Sequence, residues 1–512
     1  MQGMSDWRIR VNLKDAIKNV DVLDIRGDQD REVTGVANNS RDVRPGHLFV
    51  CRKGLVYDGH DFAPQAVSAG CSALVLERFL DLKTDVTQVM VKDSRRALAM
   101  ISSEFFGHPS KRLRLIGVTG TNGKTTTTYL IRSILRRAGF QAGLVGTINY
   151  IVDNNPHPVS HTTPESVDLQ RLFNQMLEAG ASKAVMEVSS HALELQRVAG
   201  CEFDVAVFTN LSQDHLGEGE VHTDMEDYAE AKAKLFTGLG TSYAGEPKKG
   251  RKAAIINTDD PWSQVMVKGL KVPYLSYAID GPADFTASGI EVGPRGVSFT
   301  AHTPEGEIRL NLKITARHNI YNSLAAVAVA LTEGVDLDTV KDGLESIEGV
   351  AGRFESVDAG QGYAVVVDYA HSPDGLVNAL QAARDITEGR VIVVFGAGGD
   401  RDNRKRPVMG KVASSIVEVV IVTSDNPRSE DPEAIIEQIV AGIGDDTSYE
   451  TEVDRSRAIS RAVNMAEDGD IVLIAGKGHE TYQIFREETI HFDDREVARG
   501  HIEQRLDREG RG

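Results

Sequence analysis

The run Gly117-Val118-Thr119-Gly120-Thr121-Asn122-Gly123-Lys124-Thr125-Thr126 carries the residue types of a phosphate-binding loop. The apolar segment Leu115–Val118 leads into it, and residues 125–138 lead out with a helical pattern. A strand is therefore expected to enter a glycine turn that opens a helix. Glycines let main-chain N–H groups face phosphate oxygens, and the helix N-terminus adds positive potential. Lys124 is placed to neutralise β and γ phosphates, and Thr125 can hold Mg²⁺ through its hydroxyl. The longer spacing G-x-x-x-x-G-K-T would need glycine at 118, where Val118 stands, but the tighter Gly120–Thr125 spacing is intact. The loop predicts binding of ATP or GTP. It leaves motor, switch, kinase and ligase chemistry open.

Two further segments narrow the class. Met186-Glu187-Val188-Ser189-Ser190-His191 and Thr209-Asn210-Leu211-Ser212-Gln213-Asp214-His215 each follow a short apolar run. In a parallel sheet the C-terminal strand ends face the ligand crevice, so Glu187 and His215 are candidate metal ligands near the phosphates. A phosphate-loop motor or switch expects an aspartate at the end of a hydrophobic strand, whereas the acid here is Glu187. A second glycine-rich turn, 396–401, does not make a dinucleotide fingerprint. Its third glycine would fall at 401, which is Arg401.

These residues need a scaffold of strands and helices. The 512 residues suffice for about three domains. Residues 1–110 mix short strands and turns, as a small α/β domain. Residues 111–350 alternate strands (184–188, 205–208, 253–256) with helices, the pattern of a mostly parallel phosphate-loop sheet with helices on both faces. Residues 351–512 alternate again, with strands at 363–368, 391–395, 418–423 and 470–475, and read as a Rossmann-like doubly wound domain. The glycine- and lysine-rich stretch 238–252 reads as an exposed loop, with Lys248, Lys249, Arg251 and Lys252 on a solvated face. A net charge of −18 argues against a nucleic-acid partner, which would need a basic footprint. No apolar run is long enough to span a bilayer, and the first ten residues lack a signal-peptide core. With three widely spaced cysteines, a cytoplasmic protein with reduced thiols is expected.

The segments 120–126, Glu187–His191, Asn210–His215 and His318-Asn319-Ile320-Tyr321-Asn322 resemble the Mur ligases, ATP-dependent amide-forming enzymes of peptidoglycan assembly. Gly352-Arg353-Phe354-Glu355, Asp368–Pro373 and Gly398–Asp402 continue the resemblance in order. It implies that Gly120, Thr121, Asn122, Gly123, Lys124, Thr125 and Thr126 bind ATP with His318, Asn319, Asn322, Arg353, Asp368 and His371. From the residues alone, Asn319 and Asn322 suit either an adenine contact or a helix cap. It implies Mg²⁺ at Thr125, Glu187 and His215, and a carbamylated Lys232 as a further metal ligand. Ser40, Thr162, Thr163, Ser189 and Arg197 would hold UDP-N-acetylmuramoyl-L-alanyl-D-glutamate, with Gly54-Leu55-Val56-Tyr57 flanking the uracil. Arg401, Asp425, Asn426, Pro427, Arg428, Gly476 and Glu480 would hold meso-diaminopimelate. The reaction implied is ATP-driven ligation through an acyl phosphate, by a monomer. Lysine-adding and folylpolyglutamate-synthase-like members are the alternatives; the separate first block and Asp425–Arg428 speak against the second. The sequence departs from the family pattern at Ala316, where glycine is usual, and in the longer segments 217–221 and 240–252.

Overall fold

The computed structural model describes residues 9–54, 57–159, 161–213, 221–444 and 447–510. They form two compact units. The first is built on a five-stranded and an eight-stranded sheet, the second on a three-stranded and a six-stranded sheet.

In the first unit, β1 (Val22–Arg26), β2 (Gly35–Ala37), β3 (His47–Val50), β4 (Ala73–Leu76) and β5 (Thr87–Val91) stand in the order β1-β5-β4-β3-β2. Only β1 runs antiparallel to its neighbour. The helix α1 (Ser94–Phe105) packs Ala97, Leu98, Ile101 and Phe105 against this sheet.

The larger sheet begins with β6 (Arg114–Thr119), followed by α2 (Lys124–Arg137), β7 (Ala142–Val145), β8 (Tyr150–Val152), β9 (Asn155–His157) and α3 (Ser166–Glu178). It continues with β10 (Lys183–Glu187), β11 (Val205–Phe208), α4 (Met225–Thr237), β12 (Ala253–Asn257) and β13 (Tyr274–Tyr277). The order is β9-β8-β7-β10-β6-β11-β12-β13. Its five central strands are parallel and almost wholly buried, which is why they read as runs of Val, Ile and Ala with no alternation. Register sets Glu187 beside Val118 and Phe208 beside Thr119. Three loops therefore leave one sheet edge side by side.

The second unit opens with the antiparallel strands β14 (Thr286–Gly293), β15 (Gly296–Thr303) and β16 (Gly306–Leu312), then α5 (His318–Thr332), of which residues 318–327 belong here. Ala316, just before α5, sits at φ +75°. That left-handed conformation is strained for a residue with a Cβ, and it falls at the position where glycine is expected.

The six-stranded sheet comprises β17 (Glu355–Ser356), β18 (Ala364–Asp368), β19 (Val391–Phe395), β20 (Val419–Thr423), β21 (Ser448–Glu452) and β22 (Ile471–Ala475), in the order β17-β18-β22-β19-β20-β21. All but β17 are parallel. The helices are α6 (Pro373–Asp385), α7 (Lys405–Ile416), α8 (Pro432–Val440), α9 (Arg455–Met465) and, after the hairpin β23 (Tyr482–Ile484) and β24 (Thr489–His491), α10 (Asp494–Glu509). Apolar cores on both faces of the sheet confirm the doubly wound arrangement.

One expectation is overturned. Lys248 and Lys252 do not lie on a solvated face. Both turn inward to Asp204, which is wholly buried, while Lys249 and Arg251 stay exposed. Arg114 completes the cage around Asp204 at 3.1 Å. A buried carboxylate needs such partners, and composition reports the charges without their partners.

Candidate active site

The phosphate loop is shaped by its neighbours on the sheet edge. Thr121 N–H donates to Asn210 O (2.8 Å), and Asn122 N–H to Asn210 Oδ1 (2.9 Å). Thr209 Oγ1 donates to Asn122 O (2.6 Å). Gly120 has φ +147°, and a Cβ there would overlap Thr209 Oγ1 and lie 2.9 Å from Asn210 O. Gly123, also left-handed, opens α2 without a side-chain cap, so the first-turn N–H groups face the loop. Thr125 and Thr126 are buried in its first turn. Lys124 Nζ folds over the loop, donating to Gly120 O (2.9 Å) and Thr121 O (2.8 Å).

Glu187 is fully buried at the next strand end. Among the described residues it accepts only from neutral donors, Thr147 N–H (2.8 Å) and Thr147 Oγ1 (3.0 Å). A buried carboxylate with no cation beside it among the described residues fits a site that a divalent ion completes, and Glu187 and the Thr125 hydroxyl offer it oxygen donors, as Mg²⁺ prefers. His215 lies outside the described residues, as do Leu55 and Val56 of the 54–57 loop and most of segment 217–221. Among the described residues no three His, Cys, Asp or Glu side chains gather as a metal cluster. Lys232 is buried on α4, donates to Gly120 O (2.9 Å) and lies 4.2 Å over the Tyr228 ring.

The structure gathers four other predicted residues of this unit. Thr162 Oγ1 meets Thr147 Oγ1 at 3.1 Å, so Thr147 joins Glu187 to the 162–163 segment. Thr163 Oγ1 donates to Glu187 O and accepts from Ser189 N–H. Arg197 donates to Thr163 O and pairs with Glu165 (3.0 Å). Ser40 is buried in the single 3-10 turn Ser40–Asp42, between β2 and β3 of the smaller sheet, and bonds Gln65 (2.8 Å). Thr147 carries no motif; only the packed structure singles it out.

In the second unit, Asn319 and Asn322 are buried at the start of α5. Asn322 donates to Asn319 Oδ1 (2.8 Å) and Asn319 to Thr315 O (2.6 Å), while His318 is exposed. Asp368 accepts from Phe354 N–H and Ala370 N–H, and burial raises its carboxyl against the Arg353 charge. Arg353 lies over the Tyr369 ring (5.1 Å), which His371 and His479 flank. Burial, then the Arg353 charge, pushes His479 down to about 4, so its ring is neutral at ordinary pH.

The loop after β20 and the loop after β22 are laced together. Asn426 Nδ2 donates to Glu480 Oε2 (2.8 Å). Lys477, fully buried, donates to Glu480 Oε2 (3.1 Å) and Asn426 Oδ1 (3.3 Å). Gly476 sits at φ +115°, where a Cβ would come within 2.7 Å of Asp425 Oδ2. Pro427 precedes Arg428, whose φ is +51° and whose N–H donates to Ile484 O (3.0 Å). Arg428 Nη1 donates to Gly399 O (2.7 Å), and the side chains of Arg428 and exposed Arg401 flank Gly398. Lys477 thus ties the two loops together from within the 476–480 run. An anion, Glu480, and two guanidiniums thus stand on adjoining loops. They are suited to a ligand with both ammonium and carboxylate groups.

Three family descriptions cover the chain in order: the Mur ligase family catalytic domain at 32–106, the Mur ligase middle domain at 118–330 and the Mur ligase glutamate ligase domain at 352–478. A UDP-N-acetylmuramoyl-L-alanyl-D-glutamate–2,6-diaminopimelate ligase from Geobacillus thermodenitrificans is 47% identical over 475 residues, 93% of this chain and 96% of that protein. The ligase of the same name from Bacillus velezensis is 48% identical over 469 residues, 92% and 94% respectively. A solved structure of a ligase with this name superposes with a TM-score of 0.69 at 31% identity, covering 97% of this chain and 100% of that one. Relatives close to half identical along nearly the whole chain leave one assignment: it belongs to the Mur ligase family.

Proposed function

We propose that this protein is an ATP-dependent ligase that adds meso-2,6-diaminopimelate to UDP-N-acetylmuramoyl-L-alanyl-D-glutamate, a step of peptidoglycan precursor synthesis in the cytoplasm. The observation that carries the reading is full-length identity of 47–48% to ligases bearing that name, with the residue set of Arg428, Asn426 and Glu480 on adjoining loops. Among the described residues no helix is long and apolar enough to cross a membrane. The parts 1–110, 111–350 and 351–512 serve as the UDP-substrate, ATP and amino-acid domains of a monomer.

A carboxylate does not acylate an amine without activation. The D-glutamyl γ-carboxylate attacks the γ-phosphorus of ATP, ADP leaves, and an acyl phosphate forms. The amine of the diamino acid attacks its carbonyl, and the tetrahedral adduct expels phosphate and loses a proton. Lys124 and the N–H groups opening α2 hold the transferring phosphoryl group. Thr162, Thr163, Ser189 and Arg197 grip the muramoyl peptide and its pyrophosphate. Thr125, Glu187, His215 and a carbamate on Lys232 would hold Mg²⁺, which would screen the charge between the two anions. His318, Asn319, Asn322, Arg353, Asp368 and His371 serve ATP. Arg401, Asp425–Arg428, Gly476 and Glu480 serve the diamino acid.

Burial of Lys232 supports the carbamate: desolvation favours the neutral amine that attacks CO₂. Intact-mass analysis under bicarbonate is expected to show one added CO₂, and Lys232→Ala to be partly rescued by a short carboxylic acid. An active enzyme whose Lys232 is never modified overturns this role.

A substrate panel tests the function. ADP release is expected only with both the UDP-muramoyl dipeptide and meso-diaminopimelate present. ATP turnover without either, or equal use of lysine, rejects the assignment.

A further inference from the structure

Arg455 and Asp494 open α9 and α10, respectively, and both side chains are wholly buried. The pair is bidentate: Nε donates to Oδ1 (2.7 Å) and Nη2 to Oδ2 (2.8 Å). The remaining donors reach two carbonyls. Nη2 donates to Ala475 O (3.0 Å) and Nη1 to Ser424 O (3.3 Å). Ala475 is the last residue of β22 and Ser424 the first after β20. The next residues, Gly476 and Asp425, begin the two laced loops. One guanidinium therefore clamps the roots of both loops, and Asp494 fixes its orientation. A lysine there would supply the charge without the planar fork that spans two carbonyls.

We propose that Arg455 and Asp494 are positioning residues for amino-acid selection: by holding the Ser424 and Ala475 carbonyls on one guanidinium, they fix the spacing of Arg428 and Asn426 relative to Glu480. The proposal rests on the reading of residues 425–428 and 476–480 as the diamino-acid site. Neither Arg455 nor Asp494 touches that ligand or belongs to a motif.

The test compares wild type with Arg455→Lys and with the double variant Arg455→Met/Asp494→Leu, each first checked by thermal unfolding. Exchanging a buried ion pair for apolar residues of similar volume is often tolerated, so the double variant separates loss of the clamp from an orphaned charge. KM for meso-diaminopimelate is expected to rise about tenfold or more, and its preference over lysine to fall about fivefold, while KM for ATP and the UDP-dipeptide and kcat stay within about threefold. Arg455→Lys is expected to fall between wild type and the double variant, and it carries the test if the double variant does not fold. Hydrogen exchange supplies a readout independent of activity: amides of 425–428 and 476–480 lose protection, and those of 120–126 keep it. A folded variant with wild-type preference and wild-type protection, or one in which all three KM values rise together, overturns the proposal. If the wild type ligates no diamino acid at all, the functional reading fails, and the exchange measurement still decides the clamp.

Discussion

The phosphate-loop edge of the first unit and the laced loops of the second solve the same problem by different means. The first fixes its shape through the loop's own main chain: a left-handed glycine, a helix start with no side-chain cap, and loop N–H and C=O groups bonded to the Asn210 main chain and to the Asn210 and Thr209 side chains immediately alongside. The second fixes its shape with side chains: Asn426, Lys477 and Glu480 in one network, and Arg406, which reaches both oxygens of Glu430. A site made of main chain tolerates few residue types at few positions. A site made of charged side chains depends on partners scattered along the sequence, and each of those can be tuned.

The sharpest way to break the comparison is Gly120→Ala. The added Cβ collides with Thr209 Oγ1, and pairing it with Thr209→Ala leaves the Asn210 main chain at 2.9–3.0 Å. Activity is expected to fall at least about a hundredfold in both variants, in steady-state assays at saturating ATP. Rescue by Thr209→Ala would show the loop to be governed by side chains after all.

The second region should fail by degrees. Arg428→Ala removes a charge-assisted grip of roughly 1.5–3 kcal/mol, so the preference for meso-diaminopimelate over lysine is expected to drop about tenfold or more, with KM for ATP unchanged. An unchanged substrate ratio would exclude Arg428 as the selecting cation.

Acid offers a milder lever. Arg406 beside Glu430 holds its carboxyl below the ordinary value of 4.5, and Glu430 also accepts from Asp400 N–H, next to Arg401. The folded value is depressed, so this stabilisation is complete above pH 4.5 and fades as pH falls through the folded value. The melting temperature of Glu430→Gln is therefore expected to change less with pH below about 4.5 than that of wild type. Parallel melting curves would remove the ion pair from the account.

The smallest effect is expected at Ala316, at φ +75°. Glycine there relieves roughly 1–2 kcal/mol of left-handed strain and gives up about 0.8 kcal/mol of methyl burial. Ala316→Gly is thus expected to raise stability by no more than about 1 kcal/mol in denaturant titration. A loss above that size would mean the methyl group matters more than the strain.

Legibility in the sequence followed the same division. Gly120–Thr125 and Glu187 could be read directly because main-chain demands restrict contiguous residues, and the parallel register then brings Glu187 beside Val118. The doubly wound sheet at 364–475 was visible for a similar reason: strands buried on both faces must be apolar throughout. Thr147 and Arg455 were not visible, because each acts on partners that only folding brings near. Thr147 reaches Glu187 across 40 positions and Arg455 reaches Asp494 across 39. Lys248 and Lys252 were misread outright, since their partner Asp204 lies more than 40 positions away.

That last contact bears on how far the protein can be trimmed. Glu202 and Asp204 are buried beneath the 240–252 segment, which supplies Ser242 and Lys248 to the first and Lys248 and Lys252 to the second. An engineer shortening this stretch as dispensable surface would take two ammonium groups from Asp204, leaving it Arg114 alone, and two neutral donors from Glu202, leaving it Lys111 alone, with both acids still enclosed. Deletion here should behave as a core lesion, with poor expression as its first symptom, unless Glu202 and Asp204 are neutralised in the same design.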